Sequence, residues 1–153
     1  PVALYCTWKI RQDRAWMIPA AISIAAVLVT QMVAGATLGF LFLAHAWLKI
    51  SVFTPAGTAA FFESIGFPGP LAYLVIAVEV FGGLALILGT WTRWVSLALI
   101  PILLGSIYAP HGAAGFIFSN QGGGWEFPAF WAVALAVQAL LGDGSYALKR
   151  NRT

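Results

Sequence analysis

Apolar residues run along this chain in long blocks, separated by short clusters of charge, glycine and proline. Residues 15 to 48 contain no Lys, Arg, Asp or Glu. As one helix those 34 residues would reach about 50 Å, against a hydrocarbon core of about 30 Å. The block therefore exceeds one upright crossing, and the first span is expected at about 24–49. Ahead of it, Trp8 to Pro19 mixes aromatics with Lys9, Arg11 and Arg14, which suits a segment lying on the headgroups. The second block lies between Glu63 and Arg93 and is broken only by Glu79. Phe67-Pro68-Gly69-Pro70 opens it and Gly89-Thr90-Trp91 closes it with turn chemistry. A second span follows at 70–89. A third starts after Arg93 and runs to Tyr108, with Pro101 as a kink and Pro110 as a stop. The fourth runs from Glu126 to Leu141, ahead of Gly142-Asp143-Gly144. The pattern predicts an all-α, four-helix transmembrane bundle with an interfacial N-terminal segment over 1–23, a membrane domain over 24–146 and a basic tail over 147–153.

Composition agrees with the pattern. Apolar residues make up 61% of the chain and charged residues 8%, where soluble domains carry about 25% charged. Mean hydropathy is +0.88. So few charges cannot coat a soluble domain, which excludes a soluble enzyme, a disordered tail and a nucleic-acid-binding module. The single cysteine, Cys6, excludes an internal disulfide, a CxxC redox pair and a cysteine-based zinc site. Counting cations by side orients the bundle. Lys9, Arg11, Arg14, Arg93, Lys149, Arg150 and Arg152 fall on one side and Lys49 on the other. Both termini are therefore expected in the cytoplasm, with loops 50–69 and 109–125 outside, in a bacterial-type inner membrane.

The polar residues within the spans are the candidate chemistry. Glu79 lies nine residues past Pro70, hence about 14 Å deep, near the midplane. A charge there costs at least about 2.5–3.5 kcal/mol. Gly82 and Gly83 flank its face and allow close approach of another helix, so Glu79 is expected to face the bundle. It serves either as an interhelical strut or in binding and proton handling. His45 and Lys49, spaced i, i+4, share a face of span 1. They are the favoured partners of Glu79, with Tyr73 or a carbonyl freed near Pro101 as alternatives. Read blandly, Lys49 snorkels to the surface and His45 bonds a carbonyl. In the second loop, Asn120 and Glu126 flank a glycine-rich turn. They either form a turn with an acidic first-turn residue or fold over the bundle mouth to complete a site. No HxxxH or HxxE cluster points to a metal, and His111, after Pro110, is badly placed for haem.

Several of these strings resemble one family. Leu41-Phe42-Leu43-Ala44-His45-Ala46-Trp47-Leu48-Lys49 is similar to the end of the first helix in the DoxX family of small membrane proteins. Phe61 to Pro68 resembles its linker into the second helix, and Glu79 to Arg93 resembles its "EvxGGlxLllGxxTR" block. Gly123 to Pro128 and Gly142 to Tyr146 match two C-terminal motifs. The resemblance implies a four-helix membrane bundle and places His45, Lys49, Glu79 and Glu126 at the family's polar positions. It also implies association with membrane oxidoreductase systems, and a related branch acts in receptor assembly. Two departures stand out: Gln31 and Gly35 occupy the region where family members often carry an Arg, and Ala46 replaces a usual Gly.

Three functions follow as expectations. The chain is a membrane subunit of an oxidoreductase or other large complex, with a quinone- or lipid-sized pocket between helices 1 and 2. Alternatively it is a structural or assembly subunit without chemistry of its own. The third is a small proton-coupled carrier. In every case the expected neighbours are the lipid bilayer and other membrane subunits or further copies of the chain, with no intrinsic cofactor, no nucleic acid and no catalysis by this chain alone.

Overall fold

A computed structural model describes residues 17–142; the expected headgroup segment before Met17 and the basic tail lie outside the described residues. The described chain is all-helical. It comprises α1 (Met17–Trp47), α2 (Pro55–Ser64), α3 (Pro70–Ile87), α4 (Thr92–Ser106) and α5 (Glu126–Leu141). Three continuous helical segments are long and apolar enough to cross a membrane: Met17–Val52, Pro70–Ile87 and Thr92–Ala114. Helix α5 is apolar and shorter, at 16 residues. This is a multi-pass membrane protein.

Four membrane-spanning helices were expected; the described residues hold five α-helices, because one more forms outside the expected spans. The added one, α2, lies in what the sequence pattern left as the 50–69 loop. Its local signals are strong. Thr54 caps it, the hydroxyl oxygen accepting from Gly57 N–H at 3.1 Å, and Pro55 occupies the first helical position, where its missing N–H costs nothing. Gly66 ends it at φ 88°. Phe67 N–H donates to Phe62 O and Gly66 N–H to Glu63 O, the paired bonds of a Schellman turn. The same device closes α3, where Gly89 has φ 64°, Thr90 N–H reaches Ala85 O and Gly89 N–H reaches Leu86 O. That tight reversal makes α3 and α4 antiparallel neighbours.

Helix α1 starts at Met17 with Pro19 in its first turn. One further boundary differs from expectation. Pro110 does not stop the third segment: it sits in a π turn over Ile107–His111, continued by a 3-10 turn to Ala114. Proline's fixed φ suits a helical turn, and the wider π winding carries the residue that lacks an N–H.

Helix α1 packs along α3 and α5 packs along α4; α3 also touches α4 and α5 touches α1, closing a ring. Its core is Leu38 and Phe42 from α1, Leu86 from α3, Leu99 and Leu103 from α4, and Trp131 and Leu135 from α5. Between α1 and α3 the backbones meet. A Cβ on Gly39 would come within 2.5 Å of Gly83 O, and one on Gly83 within 2.8 Å of Gly39 O. Only glycine permits that approach.

Helix α1 outruns the ring. Its buried positions begin at Gln31, whose Nε2 donates to Leu141 O at the end of α5, and no residue from Met17 to Thr30 is buried. Those 14 residues extend about 21 Å past the point where α1 meets α5. Their hydroxyls are turned onto the helix itself: Ser23 donates to Pro19 O and Thr30 to Ala26 O. The projecting surface is apolar on every side.

Candidate functional site: a charge pair inside the bundle

The face of α3 turned inward carries Ala72, Ile76, Glu79, Gly83 and Leu86, the alternating three- and four-residue spacing of one helical stripe. Glu79 is the single acid on it and is 3% exposed. Its partner comes from the end of α1. There the winding opens into a π turn over Leu48–Val52, and Lys49 within it reaches across the interhelical gap. Lys49 Nζ donates to Glu79 Oε1 at 2.8 Å and to Oε2 at 2.9 Å. One ammonium therefore binds both carboxylate oxygens.

The π turn is itself held. Phe53 N–H donates to Leu48 O at 2.9 Å, an i to i+5 bond. Thr58, buried on α2, donates its hydroxyl toward Thr54 O at 2.9 Å and Lys49 O at 3.3 Å. The short helix thus braces the backbone that presents Lys49. Next to Thr58, Thr54 adopts φ 61°, a left-handed conformation that a β-branched residue takes only where surrounding contacts impose it.

Of the expected partners of Glu79, the structure selects Lys49. His45 lies one turn deeper, and its Nδ1 bonds Leu41 O at 2.9 Å. A carbonyl only accepts, so Nδ1 carries the hydrogen and in the neutral ring Nε2 is the acceptor. The imidazole leans on Trp131, ring centroids 5.0 Å apart, and Trp131 also contacts Phe42 at 4.3 Å and Phe127 at 5.8 Å. The indole Nε1–H of Trp131 is buried and has no protein partner. Tyr73 is 52% exposed and the carbonyls near Pro101 are not needed, because Lys49 already satisfies both oxygens. Lys49 itself is not a surface anchor, with a side chain only 20% exposed.

Asn120 and Glu126 do not join this pair. Asn120 Nδ2 donates to Ala114 O at 2.8 Å and the main-chain carbonyl of Asn120 accepts from Gly123 N–H. Glu126 Oε1 accepts from Phe118 N–H at 2.7 Å, and Glu126 N–H donates to Phe116 O. Both residues build the loop that precedes α5. Nor does a ligand fit between helices 1 and 3 of the chain at the level of Gly39 and Gly83, where the backbones touch. Among the described residues, no three His, Cys, Asp or Glu side chains gather as a metal site would require.

Sequence reasoning did not single out Trp131, Phe42 or Thr58. Nothing in the local pattern separates Trp131 from the other six tryptophans; its role follows from the α1–α5 contact. Two inner polar residues were also passed over as chemistry. Gln31 and Gln138 are both buried, and each amide oxygen is without a partner.

The DoxX family model matches residues 31–112, which include α1 from Gln31, the π turn, α2, α3 and all of α4. A Bacillus subtilis (strain 168) protein named "Putative oxidoreductase CatD" is 36% identical over 69 residues, covering 45% of this chain and 50% of that relative. The match thus spans half the length of the curated relative. No solved structure matches the chain.

Proposed function

The chain belongs to the DoxX family, and from that premise we propose that it is a membrane subunit of an oxidoreductase, holding a quinone- or lipid-sized ligand beside the Lys49–Glu79 pair. The observation that carries the proposal is the buried indole of Trp131. Its Nε1–H is without a protein partner and its ring lies 5.0 Å, centroid to centroid, from that of His45, on a bundle whose ion pair lies one turn of α1 farther along. An unpaired buried donor costs about 1–3 kcal/mol, and a carbonyl-bearing ligand would relieve it. His45 Nε2 offers an acceptor to the same ligand, and the two charges can exchange a proton with it. The electrons themselves would come from a partner subunit.

The proposed site lies between α1 and α5, beside His45 and Trp131; at the level of Gly39 and Gly83 the seam between α1 and α3 has no room for a ligand. In this reading α5 is the fourth crossing, and both termini are cytoplasmic in a bacterial-type inner membrane. The orientation rests on the sequence count of cations, and Lys49, the one cation expected on the opposite side, is neutralised by Glu79.

A second reading, that of an accessory subunit packed on a larger complex, is favoured by the uncovered helix from Met17 to Thr30. The experiment that tests the first is ligand retention. Trp131→Phe keeps the aromatic packing and removes the N–H, so quinone or lipid carbonyl ligand copurifying with the protein should fall about tenfold while the fold is retained. Equal ligand content in the variant would overturn the proposal. A wild-type bundle that purifies empty but with a larger complex bound would leave the accessory reading in its place.

A further inference from the structure

At the end of the bundle that bears Lys49, the loop before α5 folds back and leaves a groove of about 500 Å³ lined by Phe116, Phe118, Glu126, Phe127 and Phe130. Local bonds make its shape. Trp125 N–H donates to Gly115 O and Glu126 N–H to Phe116 O, pinning the two ends of the loop together. Gly124 is indispensable there, since a Cβ would collide with the carbonyl of Ile117. Phe118 meets Phe127 at a tilt, ring centroids 5.8 Å apart, and Phe116 meets Trp125 edge-on at 4.7 Å. Four benzyl side chains surround a carboxylate, one oxygen of which is held by Phe118 N–H.

No Lys or Arg occurs in the sequence between Arg93 and Lys149, Lys49 is taken by Glu79, and His111, in the same loop, is bonded through Nδ1 to Gly123 O. Ring faces carry negative quadrupole charge and attract cations, and a carboxylate adds full charge and a hydrogen-bond acceptor. Phosphate would be repelled by the same group. The chemistry is that of ammonium recognition. The groove sits where the helices end, at headgroup depth, and Phe130, Val133, Val137 and Leu140 continue from it down α5 as an exposed apolar stripe. A lipid has an acyl chain to lay along that stripe; a free amine does not.

We propose that this groove binds the ammonium headgroup of phosphatidylethanolamine. The headgroup nitrogen donates to the Glu126 carboxylate and rests on the phenylalanine faces, and one acyl chain follows α5. The site is separate from the Lys49–Glu79 pair and does not depend on the function proposed for it.

The test is competition in detergent between phosphatidylethanolamine and phosphatidylglycerol of identical acyl chains, with bound lipid counted by native mass spectrometry. The chain's net charge of +3 favours the anionic lipid everywhere else, so any opposite preference reports the groove. Wild-type protein should retain phosphatidylethanolamine over phosphatidylglycerol about fivefold. Glu126→Gln still accepts from Phe118 N–H, and so keeps the loop while dropping the ratio to one or below. Phe130→Leu keeps an apolar wall without the quadrupole and should lower the ratio about twofold. Equal binding of the two lipids by the wild type, or a ratio unchanged in Glu126→Gln, would overturn the proposal. Displacement of the lipid by free ethanolamine at an equal concentration would overturn the lipid reading in favour of a site for small amines.

Discussion

The two ends of the helical ring handle buried polarity in opposite ways. At one end Lys49 and Glu79 are fully matched: two short bonds join opposite charges, and Thr58 on α2 braces the backbone behind them. At the other end Gln31 spends its amide N–H on Leu141 O, 2.6 Å away, and its oxygen is left over, as is that of Gln138. The difference follows from the size of the penalties. A charge without a partner in a low-dielectric interior costs several kcal/mol, so the fold must supply both halves of the pair. A neutral amide with one unmet lone pair costs far less and is tolerated. The matched end is therefore the place where loss of one group is felt most, and the Gln31 end is where substitution is cheap.

Breaking the pair sharpens this contrast most. Lys49→Met leaves a buried carboxylate alone and should cost about 3–5 kcal/mol, read as a large drop in thermal stability in detergent. Adding Glu79→Leu to the same chain should restore most of it, because the apolar pair needs no desolvation. If the single variant is as stable as the double one, the pair is not what holds this end together. The next effect is steric. Gly83→Leu forces α1 and α3 apart at the Gly39 contact and should destabilise by about 1–3 kcal/mol, more if the ring rearranges; cross-linking between cysteines placed on the two helices would report the separation. The smallest effect belongs to the Gln31 end. Gln31→Leu removes one hydrogen bond and one unsatisfied oxygen together, so the change should stay within about 1 kcal/mol. A loss as large as that of Lys49→Met would erase the distinction between the two ends.

Much of the architecture was legible in one dimension, for identifiable reasons. Long uncharged blocks have only one stable environment, and the Gly66 and Gly89 turns follow from the need for positive φ after a helix. Helix α2 was legible too: Thr54-Pro55 at its start and Gly66 at its end are ordinary boundary signals, overlooked because its small and polar residues lack an apolar stripe. Pro110 misled in the other direction, since a proline stops an α-helix more readily than a π turn.

That this is a multi-pass helical membrane protein, with an acid inside an apolar span that must be paired, follows from the one-dimensional pattern. Both conclusions rest on transfer energies, which depend on residue type and on the apolar surroundings alone. The three-dimensional packing was needed to show that Lys49 rather than His45 holds Glu79, that Trp131 rather than another tryptophan stands beside His45, and that α1 runs on uncovered before Gln31. Those choices depend on the rotation of each helix about its axis, on a π turn that advances Lys49, and on how closely Gly39 lets α3 approach. Each is a relation between segments far apart in the chain, and spacing along a single helix carries no information about it.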